Sequence, residues 1–121
     1  MLNIGVSTKS SHIETAKRTI LDKEEHLLGA FHGKPFLGHH YLLITDRRVI
    51  FWGSGLAPGS VNAFPYRDIS SVDAHRGLLF GDIVLNVKGA KEKFRSMRKS
   101  DVQIAVKLIR EKKKAELLAR I

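Results

Sequence analysis

Positively charged side chains are concentrated in the C-terminal part of this 121-residue chain and could bind anions. Residues 88–121 carry twelve Lys and Arg against four Asp and Glu, whereas residues 1–87 carry nine against eight. A concentrated positive surface attracts phosphate groups or acidic proteins over a distance that salt shortens. The competing interpretation is a solvated face that resists aggregation. From their spacing on one strand and one helix we predict an anionic-surface site formed by Lys88, Lys91, Lys93, Arg95, Lys107, Arg110 and Lys114.

The six histidines do not have the spacing of a metal site. His39 and His40 are adjacent and therefore point to opposite faces of a strand, while His26 and His32 supply too few ligands for zinc. The sequence also contains no cysteine, no nucleophile-elbow motif and no glycine-rich phosphate loop. We therefore predict no catalytic residue, no metal, no cofactor and no small-molecule substrate.

The composition indicates one compact domain. With 43% hydrophobic residues the chain can bury one core, and without cysteine the fold depends on no disulfide. Residues 1–7 lack the charged start and apolar run of a signal peptide, and no window approaches the ~20 apolar residues of a spanning helix. We expect a soluble cytoplasmic protein, peripheral to a membrane if its cations bind lipid.

A β-hairpin is the clearest element of the predicted sheet that must position the cations. Residues 41–52 contain two apolar runs around a Thr-Asp-Arg-Arg break, which predicts two strands and a reversal. Ile69 and Val72 are three residues apart, so strict alternation breaks there and a turn or bulge is predicted. Residues 77–81 form an apolar turn bracketed by glycines. Alternating and helical apolar positions predict one core that contains Ile44, Val49, Phe51, Ile83, Leu85, Val87, Phe94, Val106 and Ile109.

Two capping-box patterns predict the starts of two helices. Ser11 with Glu14 begins a helix of about three turns, and Ser100 with Gln103 begins one that runs to the C-terminus. The second helix is long enough for its distal turn to extend beyond a small barrel. We predict that this turn packs on another surface through Leu117, Leu118 and Ile121.

Residues 41–52, 64–72 and 76–83 together resemble the bacterial pleckstrin-homology-like domains of the YokE-like group. The resemblance covers residues 25–109 and implies a mainly β fold with α: a PH-like barrel of two bent antiparallel sheets capped by a C-terminal α-helix. A short N-terminal helix is added in this chain. We therefore expect an N-terminal helical extension, 1–23, and a PH-like domain, 24–121.

The resemblance also implies a non-enzymatic binding or assembly module. Eukaryotic relatives of the fold bind phosphoinositides through a basic cluster in the loop that joins the first two strands. Here that loop, residues 32–38, has one lysine, Lys34, so head-group specificity is not carried over.

Three functions remain open. The first is protein–protein interaction or homo-oligomerisation, because the outward sides of the hairpin strands are too apolar for one small barrel to hide. The alternative is that helices of the same chain cover that surface. The second is peripheral binding to anionic membrane surfaces through the seven cations. Nucleic-acid binding comes third, because aromatic side chains do not interleave with the charges. The predicted protein interface consists of Trp52, Leu117, Leu118 and Ile121.

Overall fold

The computed structural model describes residues 3–4, 10–33, 40–53 and 60–120. Lys34 and Ile121, both named above, lie outside the described residues. The elements follow in the order β1 (Asn3–Ile4), α1 (Ser10–Thr19), β2 (Leu27–Gly33), β3 (His40–Thr45), β4 (Arg48–Trp52), β5 (Val61–Pro65), a 3₁₀ turn (Tyr66–Asp68), β6 (Ile69–Arg76), β7 (Phe80–Val87), β8 (Ala90–Arg98) and α2 (Lys99–Ala119).

Seven of the described strands form an antiparallel sheet in the order β5-β4-β3-β2-β8-β7-β6. The short β1 pairs with β2 in parallel. β2 and β8 share one register pair, Gly33 with Met97, so the sheet divides there into a four-stranded and a three-stranded half. The predicted arrangement of two antiparallel sheets with a C-terminal helix is confirmed, and the two sheets are halves of one continuous sheet.

Gly33 lies where the two halves meet. A Cβ atom added to it would lie 2.1 Å from Nε2 of His40. The His40 ring lies 4.9 Å from the Phe94 ring, and its Nε2 is 3.1 Å from the carbonyl oxygen of Arg95. A larger residue at position 33 would displace the ring that bridges the two halves.

One core fills the space between the halves and beneath α2. Every residue predicted for this core contributes to it, with Val87 only partly buried at its edge. α2 packs across strands of both halves and buries Val102, Val106 and Ile109 against them. The core therefore fixes the first half of α2 on the sheet. Neither described helix has the length and apolar character that crossing a bilayer requires.

A second cluster lies on the outer face of the four-stranded half. There α1 packs Ile13 and Ala16 against the outward side chains Ala30, Tyr41, Leu43 and Ile50. The outward apolar side of the hairpin strands was expected to bind another protein. Instead α1 of the same chain covers it, which was the alternative interpretation.

Both helices begin one residue before the predicted capping serines. In α2 the N-cap is Arg98, whose side chain makes no capping hydrogen bond. The capping-box prediction at Ser100 is wrong because β8 leads directly into the helix, and no loop remains in which Ser100 could act as a cap.

Bulges adjust the register on both sides of β7. The bulge predicted between Ile69 and Val72 is confirmed, since the β6–β7 register shifts just after Ile69 and both side chains are buried. A second shift occurs between β7 and β8, where Ser96 has a φ of 63° and donates its amide to Asp82 Oδ1 at 3.0 Å. This bulge places Phe94 and Met97 in the same core.

Replacing Leu85 tests the register of β7. Its side chain is fully buried, so Leu85→Ala should lower the free energy of unfolding by about 2–5 kcal/mol. The half-buried neighbour Val84 points to the other face, and Val84→Ala should cost less than about 1.5 kcal/mol. Urea denaturation measures both. Equal losses would contradict a strand with one buried face.

Candidate functional site

The Thr-Asp-Arg-Arg turn of the hairpin is held by a polar network inside the protein. Thr45 Oγ1 accepts the amides of Arg47 and Arg48, both at 3.0 Å, which closes the reversal between β3 and β4. The same hydroxyl donates to Glu25 Oε2 at 2.6 Å. Thr45 in the hairpin motif therefore has a structural role, which is to close the turn and to bind Glu25.

Arg48 forms a bidentate ion pair with Glu25. Its Nε and Nη2 donate to the two carboxylate oxygens, each at 2.9 Å, and the Glu25 side chain is fully buried. Nη2 also donates to the carbonyl of Ile20, and the amide of Asp22 donates to Glu25 Oε1, both at 3.0 Å. These bonds join the segment after α1 to the hairpin, so Arg48 is engaged in the fold.

The ion pair sets the charge state of Glu25. Burial by itself would raise the pKa of this carboxyl, but hydrogen bonds from Arg48, Thr45 and the Asp22 amide, together with the charge of Arg48, lower it to about 2. Glu25 is therefore ionised throughout the neutral range, where a carboxylate can accept all of these bonds.

Three histidines also have partners within the fold. His26 Nδ1 lies 3.3 Å from Asp46 Oδ2, and His75 Nδ1 lies 3.8 Å from Asp82 Oδ2. His12 Nδ1 makes a hydrogen bond with the Tyr41 hydroxyl. In the part of the chain that the structure describes, no three His, Asp or Glu side chains form a group that could hold a metal.

A groove of about 490 Å³ lies between the start of β6 and the distal half of α2, and we call it the β6–α2 groove. Leu117, which is 59% exposed, lies in its apolar wall. Two acidic residues line it, Asp73 and Glu116. The five cations that line it are Arg67, Arg110, Lys113, Lys114 and Arg120.

The backbone of β6 contributes to this groove because β6 ends one side of the sheet. Arg110 Nη2 donates to the carbonyl of Val72 at 3.1 Å, and Lys113 Nζ donates to the carbonyl of Ile69. Side chains of α2, rather than another described strand, therefore contact this edge.

A second hollow, of about 440 Å³, lies nearer the start of α2. Arg110 and Lys114 border both hollows, so they stand between them. Its other lining residues include Ala74 and Arg76 from β6 and Lys107 from α2.

The structure divides the seven predicted cations into two groups. Lys107, Arg110 and Lys114 border the hollows beside α2. The other group belongs to the β7–β8 hairpin, where Lys88 lies 3.7 Å from Asp68. The remaining three, Lys91, Lys93 and Arg95, are exposed on β8. Phe94 on the same strand points into the core, so these three side chains point away from the core. We call Lys91, Lys93 and Arg95 the β8 row.

The predicted protein interface is also divided. Trp52 is half-buried, packs against the cluster under α1 and lies 5.3 Å from the Tyr41 ring. Leu117 and Leu118 are each 59% exposed on distal α2. The sequence analysis missed Arg67, Lys113 and Arg120, which line the groove from the 3₁₀ turn, from α2 and from the C-cap of α2.

These features define a small β domain closed by a C-terminal helix, with surface grooves as its candidate sites. The bacterial PH domain family model matches residues 21–111. The match covers most of the chain, which therefore belongs to the bacterial PH domain family, a family of binding modules that are generally non-catalytic. No curated protein matches the chain.

Acid should destabilise the protein through Glu25. Because its pKa is lowered from 4.5 to about 2 in the folded state, its stabilisation is present above the unfolded pKa and is lost as the pH falls through the folded pKa. This loss should be on the order of 3 kcal/mol.

The measurement is urea denaturation of the wild type and Glu25→Gln over the same acidic pH series. The difference between the two isolates Glu25 from the other carboxylates, and the variant should lose less stability on acidification. Identical pH slopes would show that the ion pair does not control acid stability.

Proposed function

We propose that this domain is a non-enzymatic protein-binding module that takes an acidic segment of a partner protein into the β6–α2 groove. The observation that carries this proposal is the groove's combination of exposed Leu117 with five cations against two acids. Leu117 offers the segment an apolar contact, whereas the carbonyls of Val72 and Ile69 on the sheet edge already accept hydrogen bonds from Arg110 and Lys113. The positive excess favours an acidic segment over a neutral one.

The helix that forms one wall of the groove is fixed at one end only. The buried residues of α2 end at Ile109, so its distal turns project past the core. Arg110 and Lys113, bonded to β6 carbonyls, set the position of the wall at the point where it leaves the core. A partner segment would pack between Leu117 and the start of β6.

The same proposal also assigns a subgroup of the family, a cellular location and a domain boundary. It places the chain in the YokE-like group, on residues 41–52, 64–72 and 76–83, and in the cytoplasm, which suits a chain without cysteine. It treats residues 1–23 as an extension of the domain 24–121, supported by a family match that begins near that boundary, at residue 21.

A second copy of the chain is the other candidate protein partner. Among the described strands β5 has an open edge, and Val61 at its start is 46% exposed. An edge of this kind can pair with its equivalent in another copy. Each copy carries a net charge of +9, and this repulsion favours the acidic partner over homo-oligomerisation.

The groove is tested with two synthetic peptides of equal length and equal valine content, one with Glu and the other with Lys at alternate positions. We expect the Glu peptide to bind and to shift the amide resonances of Ser70, Ser71 and Asp73. Leu117→Asp and Lys114→Glu should each weaken this binding at least about tenfold, as loss of a central contact does. The matched control, Lys91→Glu, changes the net charge by the same amount as Lys114→Glu but lies outside the groove, so it should leave binding unchanged.

An equal loss in Lys91→Glu would show general charge attraction and contradict the groove. Light scattering over a range of protein concentrations tests the second copy. A dimer that Leu117→Asp dissociates would assign the groove to another copy of the chain.

The second candidate function is peripheral binding to anionic membrane surfaces. The β8 row supports it, because its three cations are exposed together on one strand. Each cation near an acidic membrane contributes about 1 kcal/mol, and salt screens the attraction over about 8 Å at physiological ionic strength. Such binding follows total negative charge and does not select one head group.

Vesicle sedimentation tests this attraction. Binding to phosphatidylcholine vesicles should rise with added phosphatidylserine, fall with salt, and weaken in Lys91→Glu/Lys93→Glu, whereas Leu117→Asp should bind as the wild type does. Salt-resistant preference for one phosphoinositide would contradict non-specific attraction. Absence of binding at low salt would identify the β8 row as a solvated face.

A further inference from the structure

The turn between β6 and β7 exposes two adjacent leucines. Leu78 is 89% exposed and Leu79 is 73% exposed, the highest values among the exposed large apolar side chains of the described residues. The amide of Gly77 donates to the carbonyl of Phe80 at 2.8 Å and closes the turn. We call Leu78 and Leu79 the leucine tip, which is carried on a hydrogen-bonded turn.

Three exposed cations lie around the leucine tip. Arg76 ends β6 just before it. Arg98 pairs in register with Phe80, the first residue after it, and Lys99 follows Arg98 at the start of α2. All three belong to secondary-structure elements, so the fold keeps them beside the tip.

The two acidic residues near the tip offset this charge only in part, because the cations number three. Asp101, in the first turn of α2, is buried with 4% exposure, and the charge of Arg98 acts on its carboxyl. Asp82, further along β7, is 3.8 Å from His75 and accepts the amide of Ser96. The exposed charge that adjoins the two leucines is therefore positive.

We propose that the leucine tip inserts into the interface of an anionic lipid bilayer while Arg76, Arg98 and Lys99 contact the lipid phosphates. This inference rests on the second candidate function and names the residues that enter the bilayer. Apolar side chains gain free energy on leaving water, and cations are attracted to the acidic surface. Two weak signals together hold a protein on a membrane better than either alone.

The size of the tip favours a bilayer over a protein as its binding partner. A stable protein–protein interface buries about 1,200–2,000 Å² over many residues. Two leucines on a turn offer far less area, whereas a bilayer interface accepts a small apolar insertion from any direction. The hydrogen bond between Gly77 and Phe80 also satisfies two backbone groups that would otherwise lose water on insertion.

Insertion leaves the protein-binding groove accessible. The two leucines and the cations Arg98 and Lys99 are absent from the residues that line the β6–α2 groove, and Arg76 lines only the second hollow. The domain could therefore hold an acidic protein segment while its tip is in the membrane.

Fluorescence tests the insertion, since the chain contains no cysteine and one introduced thiol can carry an environment-sensitive label. Leu79→Cys places the label on the tip. The control Ala63→Cys places it at an exposed site on β5, in the half of the sheet that carries neither the leucine tip nor the β8 row. Each labelled protein is mixed with phosphatidylcholine vesicles with or without phosphatidylserine, and with vesicles carrying nitroxides on their acyl chains.

The tip label should shift to the blue and be quenched by acyl-chain nitroxides only with phosphatidylserine, while the control label should change little. Leu78→Ser/Leu79→Ser should weaken vesicle binding at least about tenfold, because the apolar transfer is lost. Circular dichroism should show the two labelled proteins and the double variant folded.

Vesicle binding with a water-exposed tip label would overturn the insertion and leave the electrostatic candidate standing. Absence of any vesicle binding would overturn both. A blue shift that grows with protein concentration without vesicles would show that the leucines contact another copy of the chain, which also overturns the proposal.

Discussion

The buried ion pair between Glu25 and Arg48 connects the parts of this fold. It holds the segment after α1 against the β3–β4 turn, so that α1 stays over the outer face of the sheet. Tyr66 extends the network, because its hydroxyl donates to the carbonyl of Thr45 at 2.6 Å and its residue begins the 3₁₀ turn that leads into β6. A buried pair adds little net stability over an apolar pair, but loss of one partner costs about 3–5 kcal/mol. The network therefore joins the segment after α1, the β3–β4 turn and the 3₁₀ turn that leads into the strand bordering the groove.

Local periodicity predicted the core because each buried face repeats within its own element. The same reasoning found the bulge in β6, where Ile69 and Val72 are three residues apart. Phe94 and Met97 have the same spacing and a bulge between them, yet the sequence analysis missed it. Ser96 has a left-handed conformation and donates its amide to Asp82, which lies on another strand. A pattern within β8 alone could not predict this contact. The capping box at Ser100 failed for a related reason, since a polar pattern cannot show that β8 leads directly into α2.

The candidate sites were harder to predict because they depend on which elements become neighbours. Charge density identified a basic C-terminal region, but β8 directs its row away from the core while Arg110 and Lys113 reach the edge of β6. The β6–α2 groove combines residues 66–73 with residues 110–120, and that separation is too large for any motif to record. The destination of α1 was open for the same reason. Ser11 and Glu14 predicted the helix, whereas its placement over Tyr41, Leu43 and Ile50 depends on a tertiary contact.

Positive charge is common to the β6–α2 groove, the β8 row and the leucine tip, so charge alone cannot decide what the domain binds. Salt screens each surface in the same way, and the surfaces differ instead in the apolar groups beside the cations. The β8 row adjoins no exposed large apolar side chain on its own strand, the groove contains Leu117, and the hairpin turn carries Leu78 and Leu79. An apolar contact is local and requires close approach, whereas the charge acts at a distance. Under both proposals the cations attract the domain to an acidic surface, and the leucines beside them select that surface.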